Sequence, residues 1–381
     1  MTDSIQTQLI QATTQIDPTT GAIVAPVHHT STYHQTSVSE FGKFDYSRSG
    51  NPTRELLETA IAELEHGTRG FAFSSGMAAI SAALLTLSHG DHLVIAQDVY
   101  GGTFRFVTQH LPRYGITATF VDPQDLDAVV AAFTPHTKVL YLETPSNPTL
   151  SVTDISAAAE LAHQHKVKVF VDNTFMTPYL QQPLLLGADL VVHSATKFLG
   201  GHSDLLAGLV VTNEAKLGEQ VYNVQNSFGA VLSPADSWLL LRGIKTLGAR
   251  LDVETASAEK IANYLISHKK VTHVYYPGLA THPLSHIHLT QSKNGGAIVS
   301  FDIGGEEQVK ILHRHLRLPV FSVSLGGVES ILSYPRTMSH AAMTTTDREE
   351  RGITDGLLRL SVGLENVEDL IADLNNALSY L

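Results

Sequence analysis

From about residue 70 to residue 212, short and almost wholly apolar runs alternate with segments of helical periodicity, and this alternation restricts the fold more than any other feature. The expected strands are Phe71–Ser74, His92–Gln97, Ala118–Val121, Val139–Glu143, Val167–Asp172, Leu190–Ser194 and Ala207–Val211, with helices expected between them at Met77–Leu87 and Asp154–His165. A strand wet on one face alternates polar and apolar residues. Runs without that alternation are buried on both faces, which implies a mostly parallel sheet covered by helices on either side. Ligands of such sheets bind beyond the carboxyl ends of the strands, so polar residues at those ends carry extra weight.

The flanks read differently. Residues 1–52 are polar and rich in Gly, Pro, Ser and Thr, and they end in the turn-forming run Tyr46-Ser47-Arg48-Ser49-Gly50-Asn51-Pro52. A helix follows, with Thr53 expected as its N-cap and Leu56, Leu57, Ala60, Ile61 and Leu64 on one face. One long helix is expected from Pro234 to Arg250, and the remainder reads as a smaller α/β unit closed by a helix bearing Leu370, Leu374, Leu378 and Leu381. The expected division is an extended arm over residues 1–60, a large domain over 61–245 and a C-terminal domain over 246–381. This agrees with 381 residues at ~100–200 residues per structural unit.

Composition removes several classes. There are 25 Lys+Arg against 37 Asp+Glu, a formal net charge of −12, and the one tight basic pair, Lys269-Lys270, reads as solvated surface. A binder of nucleic-acid phosphates needs a clustered basic face instead. With no cysteine, disulfide scaffolds, thiolate metal sites and a catalytic thiol are excluded. The first residues lack a charged and apolar leader pattern, and no apolar run approaches the ~20 residues that span a bilayer. The expectation is a cytoplasmic enzyme of small molecules, with no nucleic-acid or membrane partner.

Three features carry chemistry. Ser194-Ala195-Thr196-Lys197 follows a buried strand directly. A lysine in a partly desolvated place loses its charge more easily, and its neutral amine condenses with an aldehyde; the two hydroxyls suit phosphate oxygens. In isolation the commoner reading is an exposed loop lysine. The strand at 167–172 delivers Asp172 at its carboxyl end, where a carboxylate is costly unless paired. A protonated pyridine nitrogen would pair with it, although a helix cap or turn would also use such a residue. Ser74-Ser75-Gly76-Met77 turns from a strand into an alanine-rich helix, whose first N–H groups form a ready phosphate site. Together these are the ring partner, the aldehyde partner and the phosphate cradle that pyridoxal 5'-phosphate requires.

With these residues in place, the chain resembles the pyridoxal-phosphate enzymes of cysteine and methionine metabolism, the trans-sulfuration family. The resemblance rests on Tyr46-Ser-Arg48 with Asn51-Pro-Thr, Ser74-Ser-Gly76-Met77, Asp98-Val-Tyr100-Gly-Gly-Thr, Glu143-Thr-Pro-Ser-Asn147-Pro, Asp172-Asn-Thr, His193-Ser194-Ala-Thr196-Lys197 and Leu358-Arg359-Leu-Ser-Val-Gly-Leu-Glu365. Seven motifs in order span nearly the whole chain. Within the family the similarity is to bacterial cystathionine β-lyases, over Gly67-Thr-Arg-Gly-Phe-Ala-Phe73 and Ser330-Ile-Leu-Ser-Tyr-Pro335.

The resemblance implies the fold type I of aspartate aminotransferase: a large domain with a mostly parallel seven-stranded sheet and a smaller C-terminal α/β domain. It implies pyridoxal phosphate as cofactor, and a homotetramer built from dimers that share active sites. By the same resemblance Lys197 would hold the cofactor and move protons, Asp172 would face the ring nitrogen, and Tyr100 would stack on the ring with its phenol near the substrate. Gly76, Met77, Ser194 and Thr196 would hold the phosphate, which Tyr46 and Arg48 would reach from a neighbouring subunit. Arg359 would clamp the substrate α-carboxylate bidentately, with Asn147 and Ser324 orienting the adduct.

Many γ-acting relatives carry an acidic residue where this chain has Val323. Valine neither binds a distal ammonium nor assists a second proton shift, so the expectation is β-elimination of L-cystathionine to homocysteine, pyruvate and ammonia in methionine biosynthesis, with cysteine as a further substrate. The alternatives are a γ-lyase or γ-synthase and, from another class, a regulator that merely retains the cofactor. The histidine pairs at 163/165, 286/288 and 313/315 lack a metal-site pattern, so no metal is expected, and no Gly-x-Gly-x-x-Gly or Gly-x-Ser-x-Gly supports a dehydrogenase or serine hydrolase.

Overall fold

The structure is a computed structural model that describes residues 3–341 and 343–381. Its larger sheet contains β1 (Arg69–Phe73), β2 (His92–Ala96), β3 (Thr117–Val121), β4 (Thr137–Glu143), β5 (Lys168–Asp172), β6 (Leu190–Ser194) and β7 (Gly208–Thr212), in the order β1-β7-β6-β5-β4-β2-β3. β7 runs antiparallel to both its neighbours, and the other pairings are parallel. Each of the seven expected strands lies within two residues of an observed one.

The missing alternation has the cause expected. Val169 and Val171 of β5 enter one apolar core with Leu57, Ile61, Leu140 and Val191, while Phe170 between them enters a second core on the opposite face with Phe71, Ile95 and Val192. Each such buried side chain contributes about 1.5–3 kcal/mol, so both faces demand apolar residues. β3, at the sheet edge, keeps exposed positions at Thr117 and Thr119.

Two local expectations are corrected. The first long helix is Pro52–Leu64, and its cap is Asn51, whose side chain accepts from the Thr53 and Arg54 amides. Pro52 fills the first turn, where its missing N–H costs nothing. Thr53 instead accepts from the His28 amide at 3.0 Å and donates to the Pro26 carbonyl. The helix expected over 234–250 is two helices, Pro234–Lys245 and Leu247–Ile266, broken at Thr246. Arg250 reaches back from the second helix and donates to the carbonyl of Gly243 at 3.0 Å and of Phe198 at 2.8 Å, adding to the Thr246 amide, from which the Gly243 carbonyl accepts at 3.2 Å.

The smaller sheet contains β8 (His273–Tyr275), β9 (Ile298–Asp302), β10 (Val320–Phe321), β11 (Ile331–Ser333) and β12 (Leu357–Ser361), in the order β10-β11-β12-β9-β8. A third core joins Val299, Phe301, Leu358 and Leu360 of this sheet to Ile261, Leu312, Leu370 and Leu374 of its helices. At the other end of the chain, helix Ile5–Gln11 buries Leu9. Residues 12–51 then run without helix or strand and leave Ile16, Ile23, Val24, Val38 and Phe41 exposed. Among the described residues no helix is long and apolar enough to cross a membrane.

Candidate active site

β1, β2, β4, β5 and β6 end on one edge of the larger sheet, where Ser75, Tyr100, Glu143, Asp172 and Ser194 follow or close them. β12 of the smaller sheet brings Arg359 to the same place. Between them lies a cavity of about 450 Å³. Gly76, Met77, Tyr100, Asn147, Asp172, Ser194, Thr196, Lys197, Val323, Ser324 and Arg359 all line it; Tyr46 and Arg48 do not.

One end is built for an anion. Helix Gly76–Leu84 opens on the cavity, capped by the Ser75 hydroxyl, which accepts from the Ala78 amide at 3.1 Å. The first amides of a helix have no partner within it and carry its positive end. Glycine is required at 76, because a Cβ there would stand 2.6 Å from the Ser194 Cβ and Oγ. The Thr196 hydroxyl is engaged with the backbone of Ala207, accepting from its amide at 3.0 Å and donating to its carbonyl at 3.2 Å.

At another wall Asp172 is buried. Its Oδ1 accepts from the Thr174 amide at 3.0 Å and its Oδ2 from the Tyr141 hydroxyl at 3.4 Å. Burial raises its pKa, against the hydrogen bonds from Thr174 and the nearby His193. Behind it His193 Nε2 and Glu65 Oε1 lie 2.7 Å apart, both fully buried, and Asn173 donates to the same Glu65 oxygen at 3.0 Å.

Lys197 meets Arg359 through one serine. The Lys197 Nζ donates to Ser324 Oγ at 2.5 Å, and Arg359 Nη2 donates to the Ser324 carbonyl at 2.7 Å. Ser324 has φ of 84°, a left-handed conformation that costs a residue with a side chain about 1–3 kcal/mol. Burial, and then the charge of Arg359, pull the Lys197 pKa down to about 8. Arg359 is 3% exposed and is held by neutral groups: Asn147 Oδ1 at 2.8 Å, the Ser324 carbonyl, and Ser333 Oγ at 3.1 Å. Its Nε has no partner. Arg359 forms no ion pair among the described residues, and a buried guanidinium in that state calls for an anionic ligand.

Other lining residues were given no role by their sequence pattern. Arg105, exposed on helix Gly101–Gln109, lines the cavity and forms no ion pair among the described residues. Glu143 closes β4, and its Oε2 accepts from the Tyr100 amide at 2.9 Å. A lone helical arginine carries no signal of its own, whereas Glu143 had one in its strand-end position. Arg48 stays on the surface, donating to the Asn226 carbonyl at 2.8 Å with its guanidinium 5.5 Å from the Tyr46 ring centroid.

This donor set fits pyridoxal phosphate: an amine of lowered pKa, a buried carboxylate and a buried guanidinium that form no ion pair among the described residues, and a helix N-terminus pressed against a serine. Among the described residues no group of three or more His, Asp and Glu is placed to hold a metal ion.

Comparisons with known proteins point the same way. A model of the family described as Cys/Met metabolism PLP-dependent enzyme matches residues 6–379. A cystathionine beta-lyase of Bacillus subtilis is 57% identical over 99% of this chain and 97% of its own length. A cystathionine gamma-lyase of the same organism is 50% identical, covering 96% of each. The crystal structure of cystathionine gamma-lyase from Lactobacillus plantarum complexed with L-serine superimposes with a TM-score of 0.96, at 46% identity and 99% coverage of both chains.

Proposed function

The chain belongs to the Cys/Met metabolism PLP-dependent enzymes, and from that premise we propose that it is a cystathionine β-lyase, cleaving L-cystathionine to homocysteine, pyruvate and ammonia. The observation that carries this reading is the approach of Lys197 and Arg359 through Ser324, with the uncharged Val323 at the cavity wall beside them.

Pyridoxal phosphate supplies an aldehyde for an amine and a ring that accepts electrons from a broken bond. Gly76, Met77 and Ser194 would hold its phosphate, and Asp172 would face its ring nitrogen. Arg359 binds the substrate α-carboxylate, using the Nε that has no protein partner, which brings the α-carbon toward Lys197. Lys197 Nζ removes the Cα proton; an amine whose pKa is lowered to about 8 suits a general base near neutral pH. Tyr100 covers the ring face, its own amide tied to Glu143. The electron pair released at Cα forms a Cα–Cβ double bond as the Cβ–S bond breaks and homocysteine leaves as thiolate, to be protonated; water then hydrolyses the remaining three-carbon fragment to pyruvate and ammonia. Arg105, at the cavity and without a carboxylate partner among the described residues, binds the distal carboxylate of cystathionine.

γ-Cleavage needs a second proton shift, at Cβ. Val323 offers no acid or base for it, and this supports β over γ. The γ-lyase among the relatives makes the γ reaction the second reading. Product analysis separates them. Purified protein with L-cystathionine gives pyruvate and homocysteine if the β reading holds, and 2-oxobutyrate and cysteine if it does not.

A second copy of the chain supplies Tyr46 and Arg48 to the phosphate end. In support, both lie outside their own cavity, on a segment that exposes Ile16, Ile23, Val24, Val38 and Phe41. The assembly is a homotetramer of such dimers in the cytoplasm.

A further inference from the structure

Glu143 and Asp172 are Cα partners across β4 and β5, so two carboxyl groups stand side by side at the ends of parallel strands. Glu143 is 7% exposed. Two main-chain N–H groups face it: that of Tyr100, from which its Oε2 accepts at 2.9 Å, and that of Asn147. It takes part in no ion pair among the described residues.

Those two donors belong to residues on either side of the cavity. Tyr100 begins helix Gly101–Gln109 without any side-chain cap of its own. Asn147 holds Arg359 Nη1 at 2.8 Å. A single carboxyl group therefore sets both the tyrosine that covers the ring and, one bond further on, the arginine that binds the substrate carboxylate.

The groups that act on Glu143 are Asp172 from β5, Asp98 from the loop after β2, Tyr141 of its own strand and Arg359 from β12. Of these carboxyl groups, Glu143 is the one whose charge acts on the buried Arg359 guanidinium. Burial, followed by the charge of Asp172, pushes the Glu143 pKa well above the usual carboxylate range. Two adjacent buried carboxylates do not both ionise cheaply.

We propose that Glu143 is a positioning residue, whose carboxyl group fixes Tyr100 and Asn147 against the cavity. This rests on the reading of the cavity as a pyridoxal-phosphate site.

The test compares the wild-type holoenzyme with Glu143→Gln, which keeps a neutral acceptor, and with Glu143→Met and Glu143→Ala, which remove it. The readouts are the visible circular dichroism of the bound cofactor, kcat and KM separately, and the melting temperature. Glu143→Gln keeps the dichroism band and holds kcat/KM within about threefold. Whichever of Glu143→Met and Glu143→Ala folds loses or shifts the band and falls about 100-fold in kcat/KM, through both kcat and KM. A truncated variant that keeps the band and the rate overturns the positioning role. A Glu143→Gln protein as impaired as the truncations also overturns it, because glutamine keeps the acceptor. A wild-type protein that gains no visible band with pyridoxal phosphate contradicts the cofactor reading itself, whereas a coloured wild type with unaffected truncations contradicts this inference alone.

Discussion

The amine of Lys197 donates to the hydroxyl of Ser324 across 2.5 Å, although 127 positions of sequence separate them. The contact joins the loop after β6 to the segment between β10 and β11, so the lysine is oriented by the smaller sheet as well as by the larger one. Gly326, two residues on at φ of 77°, packs on the same loop, where a Cβ would stand 2.6 Å from the Phe198 nitrogen. Four expectations follow from the arrangement around this contact and from the groups buried behind it.

Lys197 must be neutral to attack an aldehyde or take a proton. Burial lowers its pKa from 10.5 to about 8, so its neutral fraction grows about tenfold per pH unit below 8 and levels off above. The rate at which cofactor-free protein develops the visible band with pyridoxal phosphate should follow that curve. In the same apoprotein this group's contribution to stability rises as pH climbs from about 8 towards 10.5, because the unfolded chain binds more protons there. A capture rate independent of pH between 6 and 9 would refute the assignment.

Arg359→Lys keeps the charge but cannot span Asn147, Ser324 and Ser333 at once. Charge-assisted hydrogen bonds contribute about 1.5–3 kcal/mol each, so the loss of one or two lowers kcat/KM by about 100-fold. The visible band of the bound cofactor should persist, since Arg359 faces the substrate. Titration with amino acids, followed by that band, checks both halves.

Arg105→Ala should discriminate between substrates. Cystathionine carries a distal carboxylate and cysteine does not, so the variant should raise KM for cystathionine about tenfold or more and leave cysteine cleavage nearly unchanged. Equal losses for both would place Arg105 elsewhere in the reaction.

Glu254 lies fully buried on helix Leu247–Ile266, and neither carboxyl oxygen has a partner. Burial raises its pKa to about 8, against the nearby Arg250. Between about 4.5 and 8 the folded chain holds a proton that the unfolded chain releases, so this group's contribution to stability falls as pH rises through that window. Glu254→Gln removes the dependence. Its melting temperature relative to wild type should climb from pH 5 to pH 9, and a difference constant with pH would contradict the argument.

Much of the fold was legible because two cores impose one demand. Val169, Phe170 and Val171 are apolar in succession since each faces a core, and that signal needs no knowledge of the partners. The break at Thr246 was not legible. Arg250 ties the Gly243 carbonyl at the break to the Phe198 carbonyl in a distant loop, a contact that periodicity does not register. The cap at Asn51 was mistaken for Thr53 for a similar reason: Thr53 is occupied by Pro26 and His28 of the preceding arm. In the cavity, Lys197 and Asp172 announced themselves by standing at strand ends. Arg105 and Glu143 acquire meaning only from what lies opposite them.

The central claim is that Lys197 carries the cofactor. Borohydride reduction of the holoenzyme, followed by proteolysis and mass mapping of every lysine peptide, tests it most directly. The account predicts a reduced pyridoxyl group on the peptide containing Lys197 and on no other; a label on a different lysine, or on none, would contradict it.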